Sequence, residues 1–271
     1  MQNPALTRSA AATVAAILGA TAALADDKPT VDKASLEKSF EALKTFNWGP
    51  DNPKFLELLG AIENAVPATH GNEAARKELE SKLTEVLPTG ASRAAKDYVG
   101  RKLAIVGSAE SVPALAALLT DKDLSHMARY ALERIPAAEA AEALRDALSK
   151  TSGAQKAGVI GSLGVRRDAA SVTDLAALVA DSDQSIGRAA ATALGDIGTV
   201  DAAKALQEAK PASTHVKMRA ADARLTVGER LLAAGDKEGA LAVYKSLMGS
   251  EAKNVKLAAT RGLLLASGKK E

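Results

Sequence analysis

Apolar residues along most of the chain recur at steps of three and four, the spacing that places them on one side of an α-helix. Representative runs are Leu115, Leu118 and Leu119, and Leu175, Leu178 and Val179. The runs do not alternate apolar and polar residues with the period of two that a half-buried strand shows. The pattern therefore predicts an all-α protein with no strand.

The helical pattern also repeats at a fixed distance. Segment 111–119 aligns with 171–179, and Leu132-Glu-Arg-Ile135 aligns with Leu194-Gly-Asp-Ile197. One leucine in each unit, taken as the buried anchor of a second helix, recurs every 31 residues. These anchors are Leu132, Leu163, Leu194 and Leu225, with Leu103 lying 29 residues before the first and Leu263 lying 38 after the last. Such self-similarity predicts a solenoid of stacked antiparallel helix pairs.

Helix ends and turns agree with this division. Residues that end helices stand four positions after three anchors, at Gly107, Pro136 and Gly198, whereas Arg167 and Glu229 break the rule. Aspartates in the turn between the two helices of a unit are predicted to cap the second helix. They are Asp121, Asp123, Asp181 and Asp183. The small residues of Gly161-Ser-Leu-Gly164 indicate a tight helix contact and not a nucleophile turn.

The stretch D-x-x-I-G-R-A-A-A-T-A-L-G-D-I-G, from Asp183 to Gly198, resembles a HEAT repeat. The period near 30 is similar to the short HEAT-like repeats named after phycobilisome lyases, and the resemblance covers about residues 91–228. Segments 93–99 and 123–132 are similar to exported bacterial HEAT-repeat proteins. The resemblance implies an all-α, HEAT-like α-solenoid, but a fold does not fix a function.

The regions on either side of the repeats are predicted to close the stack. Residues 26–90 read as an N-terminal helical cap with helices over 35–46, 53–66 and 73–87. Residues 229–271 include one helix pair similar to a tetratricopeptide (TPR) hairpin, with a Gly235-Asp236 turn and an A-L-x-x-Y second helix ending at Tyr244.

The first 25 residues have the three parts of an export signal. Arg8 precedes a small-residue apolar run from Ala10 to Ala25, which closes on the A-x-A pattern of Ala23 and Ala25. We expect cleavage after Ala25, a periplasmic or secreted protein and no membrane insertion of the mature chain. The alternative is an uncleaved anchor or a helix of the fold, although sixteen residues are short for a bilayer.

The composition excludes several classes of partner and of chemical site. The chain has 271 residues, 35 Lys+Arg against 33 Asp+Glu, seven aromatics and no Cys. So few aromatic faces and so little net charge argue against nucleic acid as a partner. The absence of Cys excludes disulfides, thiol nucleophiles and thiolate metal sites.

The sequence offers no catalytic, cofactor or metal constellation. His70, His126 and His215 lie far apart, with no HExxH and no histidines at four-residue spacing. Neither a G-x-S-x-G elbow nor a phosphate-binding glycine loop is present. We therefore predict that the protein is not an enzyme and carries no cofactor.

One surface pattern is a candidate binding site. Positions six before, two before and two after each anchor share one side of the second helix, away from the core. They are Asp97, Arg101, His126, Tyr130, Arg134, Ala157, Gly161, Val165, Arg188, Thr192, Asp196 and Arg219. The five strongest candidates for gripping an acidic segment or a small anion are Arg101, His126, Tyr130, Arg134 and Arg188. Alternatively, these arginines pair with turn aspartates and hold the repeats together.

Two further groups complete the candidates. Arg129, Arg166 and Arg167 are interpreted as solvated loop and rim charges. Four aromatics fall within sixteen residues: Phe40, Phe46, Trp48 and Phe55. They are expected to form the core of the N-terminal cap, or alternatively a partner hot spot led by Trp48.

The sequence thus favours a non-catalytic extracytoplasmic scaffold that binds a protein partner, including an acidic segment, on the concave face where second helices usually lie. The alternative is a bilin-lyase-like enzyme or a small-anion-binding protein of the short HEAT-like group. The sequence does not indicate the oligomeric state.

Overall fold

The computed structural model describes residues 32–47, 54 and 57–268. Within this part of the chain there are fourteen α-helices and no strand, so the all-α prediction is confirmed. The predicted signal sequence with its Ala25 cleavage position, Trp48 and Phe55 lie outside the described residues. No helix in the described ranges is both long and apolar enough to cross a bilayer.

The helices are α1 (Lys33–Thr45), α2 (Gly60–Ala68), α3 (Glu73–Val86), α4 (Arg93–Val106), α5 (Val112–Ala116), α6 (Ser125–Leu132), α7 (Ala138–Lys150), α8 (Gly153–Arg166), α9 (Val172–Leu178), α10 (Gln184–Ile197), α11 (Val200–Glu208), α12 (Thr214–Ala233), α13 (Lys237–Leu247) and α14 (Lys253–Ala266). Short 3₁₀ turns, Ala109–Ser111 and Ala169–Ser171, lead into α5 and α9.

The helices stack as the solenoid that the repeats predict. Second helices α4, α6, α8, α10 and α12 pack against one another in chain order. First helices α5, α7, α9 and α11 each pack on the second helix of their own unit. Each second helix is therefore covered by its own first helix and by its neighbours in the stack, and the remaining side faces solvent.

Leucine and alanine fill the seams between second helices. The anchors Leu103, Leu132, Leu163 and Leu194 are fully buried, as the period predicts. Gly164 lies so close to α10 that a Cβ there would stand 2.9 Å from Cα of Ala193. Ser162 donates to Oε1 of Glu133 at 2.7 Å. Gly164 and Ser162 therefore form the tight contact predicted for this segment, whereas Gly161 is exposed with open space beside it.

The predicted register fails in α12. Leu225 is only partly buried, because buried positions of α12 follow those of α10 by 30 residues and not 31. The matching pairs are Ile186 with Val216, Ala190 with Ala220, Ala193 with Ala223, and Ile197 with Val227. One residue fewer in the connection turns every side chain of a helix by about 100° relative to the prediction. Arg224 consequently occupies the anchor position of this unit.

Helix ends follow simple chemistry. Gly107 and Gly198 end α4 and α10, and Gly198 adopts the left-handed conformation with φ +73°. Arg167 ends α8 in the same conformation, φ +54°, without a glycine. Helix α12 continues past Glu229 to Ala233, across the predicted boundary between residues 228 and 229.

Of the four turn aspartates, Asp183 caps its second helix as predicted, whereas α6 begins after Leu124 without a side-chain cap and Asp121 and Asp181 accept hydrogen bonds within their turns. Oδ1 of Asp183 accepts the N–H of Ser185 at 2.8 Å, and this contact, with the Ser185 hydroxyl, holds the pKa of Asp183 below its usual range. Oδ1 of Asp121 accepts the N–H groups of Asp123 and Leu124. The Asp183 carboxylate therefore satisfies a helix-terminal donor that has no partner inside the helix.

The N-terminal helices are joined to the stack through α4. The hydroxyl of buried Tyr98 donates to Oε1 of Glu63 at 2.8 Å, and Nζ of Lys102 contacts Oε2 of the same carboxylate at 2.6 Å. Burial first, and then the Glu63 carboxylate, raise the pKa of Tyr98. Phe46 is fully buried with its ring 6.2 Å from Tyr98, and Phe40 is half-buried.

Candidate functional site

The solvent side of α4, α6, α8 and α10 carries the predicted stripe, which we call the second-helix face. Its residues are Asp97, Arg101, His126, Tyr130, Arg134, Ala157, Gly161, Val165, Arg188, Thr192 and Asp196, with Arg219 at the edge. The guanidinium-bearing members Arg101, Arg134 and Arg188 are exposed, and Arg219 is half-buried. The five strongest sequence candidates therefore share one surface.

A tyrosine between two arginines forms one end of this face. The guanidinium carbon of Arg134 lies 3.7 Å from the ring centroid of Tyr130, and that of Arg101 lies 5.9 Å from it. Nη1 of Arg134 also donates to the Tyr130 carbonyl at 2.9 Å. Since cations are attracted to aromatic faces, these contacts orient both guanidinium groups across α4 and α6.

The two arginines differ in their carboxylate partners. Nε of Arg101 donates to Oδ2 of Asp97 at 2.9 Å, one turn earlier on α4, and this hydrogen bond raises the pKa of Arg101. Arg134 approaches Oε2 of Glu133 at 3.4 Å. The Arg101 contact lies within α4, and the Arg134 contact joins two adjacent residues directly after α6. These arginines do not join neighbouring repeats through turn aspartates.

The other end of the face is a shallow groove of about 450 Å³ between α8, α10 and α12. Its lining residues are Gly161, Ser185, Arg188, Ala189, Thr192, Ala193, Asp196 and Arg219. A Cβ on Gly161 would meet no atom within 4 Å, so the groove is open above this glycine. Val165, next to it on α8, is 60% exposed.

Two arginines of the groove have no partner for their charge. The guanidinium groups of Arg188 and Arg219 make no hydrogen bond, ion pair or ring contact with the described residues. The nearby carboxylate of Asp196 instead accepts from Nη2 of Arg230 at 2.8 Å. Arg188 and Arg219 therefore keep their donors available for an external acceptor.

His126 lies on the exposed surface of α6 between these features. Its Nδ1 is 3.5 Å from Nη2 of Arg129. His70 and His215 are also exposed and belong to other elements. No group of three His, Cys, Asp or Glu side chains positioned to hold a metal ion occurs among residues 32–47, 54 and 57–268.

The interpretation of Arg129 and Arg166 as solvated charges is wrong. Nη1 of half-buried Arg129 donates to the Gly158 carbonyl of the next unit at 3.1 Å. Arg166 donates to three carbonyls around the end of α6, on Leu132, Ile135 and Ala137, at 2.5, 2.6 and 3.0 Å. Burial lowers the pKa of both arginines.

These contacts belong to a set of seam arginines that sequence reasoning missed. Its members are Arg76, Arg129, Arg145, Arg166 and Arg230. Carbonyls at a helix C-terminus have no partner inside the helix and carry partial negative charge, which suits a cation from the neighbouring unit. The sequence contains one sign of this packing, which is the glycine at position 158, 29 residues after Arg129. A Cβ on Gly158 would stand 2.5 Å from the guanidinium carbon of Arg129.

Comparison with protein families agrees with the fold. Residues 141–224, from α7 to α12, match the family model described as HEAT repeats. A crystal structure of an engineered protein is similar over 86% of this chain and 98% of that chain, with 21% identity and a TM-score of 0.28. No curated protein matches the sequence. Residues 141–224 are thus similar to HEAT repeats, and the groove between α8, α10 and α12 lies within this matched segment.

Proposed function

We propose that the protein is a non-catalytic interaction scaffold that binds an acidic segment of a protein partner on the second-helix face. HEAT repeats generally mediate contacts between proteins. The observation that carries the proposal is the pair of unpartnered guanidinium groups, Arg188 and Arg219, on the walls of an open groove. Arginine presents a planar donor fork that matches a carboxylate.

The shape of the face suits an extended segment that carries both acidic and apolar residues. Gly161, Ala189 and Ala193 leave room for an apolar side chain between the arginines. Tyr130 supplies the one aromatic ring of the face, held by Arg101 and Arg134. Aromatic and arginine side chains of this kind often dominate the energy of an interface.

A binding measurement with defined peptides tests the proposal. The probes are peptides that place Asp or Glu on both sides of an apolar residue, together with peptides in which Asn and Gln replace the acids. Arg188→Ala combined with Arg219→Ala should weaken binding of the acidic peptides by at least about tenfold, since each loses a charge-assisted hydrogen bond. Affinity should also fall as salt is raised.

A matched control removes two exposed cations from first helices, Lys150→Ala with Lys204→Ala. This variant has the same net charge as the arginine pair variant and should bind like the unmodified protein. Equal loss in both variants would show that only overall charge matters, and that result contradicts the proposed groove. Absorbance titration with a tetrapyrrole separates the bilin-lyase-like alternative, because a scaffold should leave the spectrum unchanged.

We also propose that the protein works outside the cytoplasm. The support is the order of Arg8, the apolar run from Ala10 and the A-x-A pattern ending at Ala25. N-terminal sequencing of the native protein should find Asp26 first. Replacing Ala25 with a bulky residue should stall processing, and a mature N-terminus far from Asp26 would contradict the assignment.

A further inference from the structure

A second cavity lies at the C-terminal end of the stack. Its volume is about 730 Å³, it is open to solvent on one side, and it is lined by α11, α12, α13 and the turn that follows α13. Apolar side chains of Leu206, Pro211 and Leu247 line it together with hydroxyls of Thr214 and Ser246. A cavity that is mainly apolar with a few polar groups is the usual form of a small-molecule site.

Arg224 is the cation on the wall of this cavity. It occupies the position that an anchor leucine holds in the preceding units, because the register of α12 is offset by 30 residues. The side chain is half-buried, and burial lowers its pKa. A cation at a position built for a leucine needs compensation from its surroundings.

The surrounding protein compensates Arg224 only with neutral acceptors. Nη2 donates to Oε1 of Gln207 at 3.0 Å and to Oγ of Ser246 at 2.6 Å. Ser246 gives its own proton to the Val243 carbonyl, which leaves its oxygen as an acceptor for the guanidinium. Nε is buried without an acceptor, and Nη1 makes no hydrogen bond to any described residue.

The seam arginines contact acceptors of a kind that Arg224 lacks. Arg145 and Arg230 each contact an aspartate, at 2.7 and 2.8 Å, and Arg166 contacts the carbonyls around a helix end. Arg224 has neither a carboxylate nor a helix end. Lys217 and Glu251, which also line the cavity, approach each other at 3.8 Å, and neither forms an ion pair or hydrogen bond with Arg224.

We infer that this cavity binds a small carboxylic acid with an apolar body, whose carboxylate accepts a hydrogen bond from Nη1 of Arg224. The hydrocarbon part lies against Leu206, Pro211 and Leu247. Gln207 and Ser246 fix the guanidinium through Nη2, so that Nη1 is oriented before the acid arrives. A preformed donor of this kind reduces the entropy lost on binding.

The experiment measures octanoate binding to the full chain by calorimetry, with octanamide as the neutral control. Octanoate should bind and octanamide should bind at least about tenfold more weakly, which is the worth of one charge-assisted hydrogen bond. Arg224→Leu restores the residue type of the other anchors, so this variant should fold at least as stably as the unmodified chain. The octanoate affinity of this variant should fall by the same factor, at least about tenfold.

Arg224→Gln provides a second variant that keeps a polar side chain, and it should also bind octanoate at least about tenfold more weakly. Arg188→Ala with Arg219→Ala should retain octanoate binding, because these residues lie outside the cavity. A failure of the cavity hypothesis can therefore be distinguished from a failure of the proposed peptide binding on the second-helix face. Three results would each overturn the inference: no octanoate binding, equal binding of octanamide, or unchanged binding by the folded Arg224→Leu protein.

Discussion

The seam side and the solvent side of the second helices use the same residue types for different purposes. On the seam side, Arg166 is half-buried against three carbonyls and Gly164 lets α8 approach Ala193. On the solvent side, Arg188 has no partner for its guanidinium and Gly161 has open space above it. Residue type alone therefore does not distinguish a structural position from a binding position in this solenoid.

The neighbour one unit away makes the difference. Arg166 reaches the end of α6, where unpaired carbonyls accept its hydrogen bonds, whereas Arg188 lies inside α10, where backbone carbonyls are already used by the helix. Arg230 likewise meets an aspartate of the preceding second helix. An arginine of this solenoid is structural where an acceptor of a neighbouring unit lies within its reach, and Arg188 has no such acceptor among the described residues.

The largest effect should come from the apolar seam itself. Leu194→Ala removes a fully buried side chain from the middle of the stack and should lower the free energy of unfolding by about 2 to 5 kcal/mol through lost burial and a cavity. Leu225→Ala is the matched control and should cost clearly less, because Leu225 is only partly buried. Urea denaturation measures both. Equal losses would restore the 31-residue register for α12.

Two glycines of the same helix give the next test. Gly164→Ala places a Cβ 2.9 Å from Cα of Ala193, so α8 and α10 must separate, at a cost of about 1 to 3 kcal/mol. Gly161→Ala meets no atom and should stabilise α8 by up to about 1 kcal/mol, because alanine is the better helix former. Thermal or urea unfolding should show opposite signs, and the same sign for both would remove the distinction between the two sides.

Replacing Arg166 and replacing Arg188 should likewise have different effects on stability. Arg166→Ala leaves carbonyls around the end of α6 without their donor, which should cost about 1 to 3 kcal/mol of unfolding free energy. Arg188→Ala should change it by about 0.5 kcal/mol or less, as expected for an exposed charge with no partner. Binding of an acidic peptide per folded molecule should follow the reverse order. A destabilising Arg188→Ala would indicate that the face holds the stack together.

Much of this fold follows from the sequence because its signals are periodic. The anchors from Leu103 to Leu194 and the capping role of Asp183 could be derived from spacing alone, since helix burial and helix capping are local. The register of α12 could not, because a single deleted residue in a connection leaves no mark in composition. The continuous helix through Glu229 did leave a sign, since the position four after Leu225 carries glutamate and not a residue that ends helices.

The sequence predicts which residues of the candidate site share a surface, but it does not predict the partners of their side chains. Helical spacing placed Arg101, Tyr130 and Arg188 on one side of the second helices, and their exposure agrees with it. Which arginines are partnered depends on atoms from other units, such as the carbonyls that receive Arg166. Long side chains reach across the seam, and their end points do not follow from spacing along one helix.

The smallest effect concerns His126, which is exposed on α6 with Nδ1 3.5 Å from Nη2 of Arg129. His126→Gln keeps a polar side chain and should change the free energy of unfolding by about 0.5 kcal/mol or less, as expected for an exposed side chain outside the core. Urea denaturation measures this change, and a loss above about 1 kcal/mol would indicate that the imidazole helps to hold the stack together.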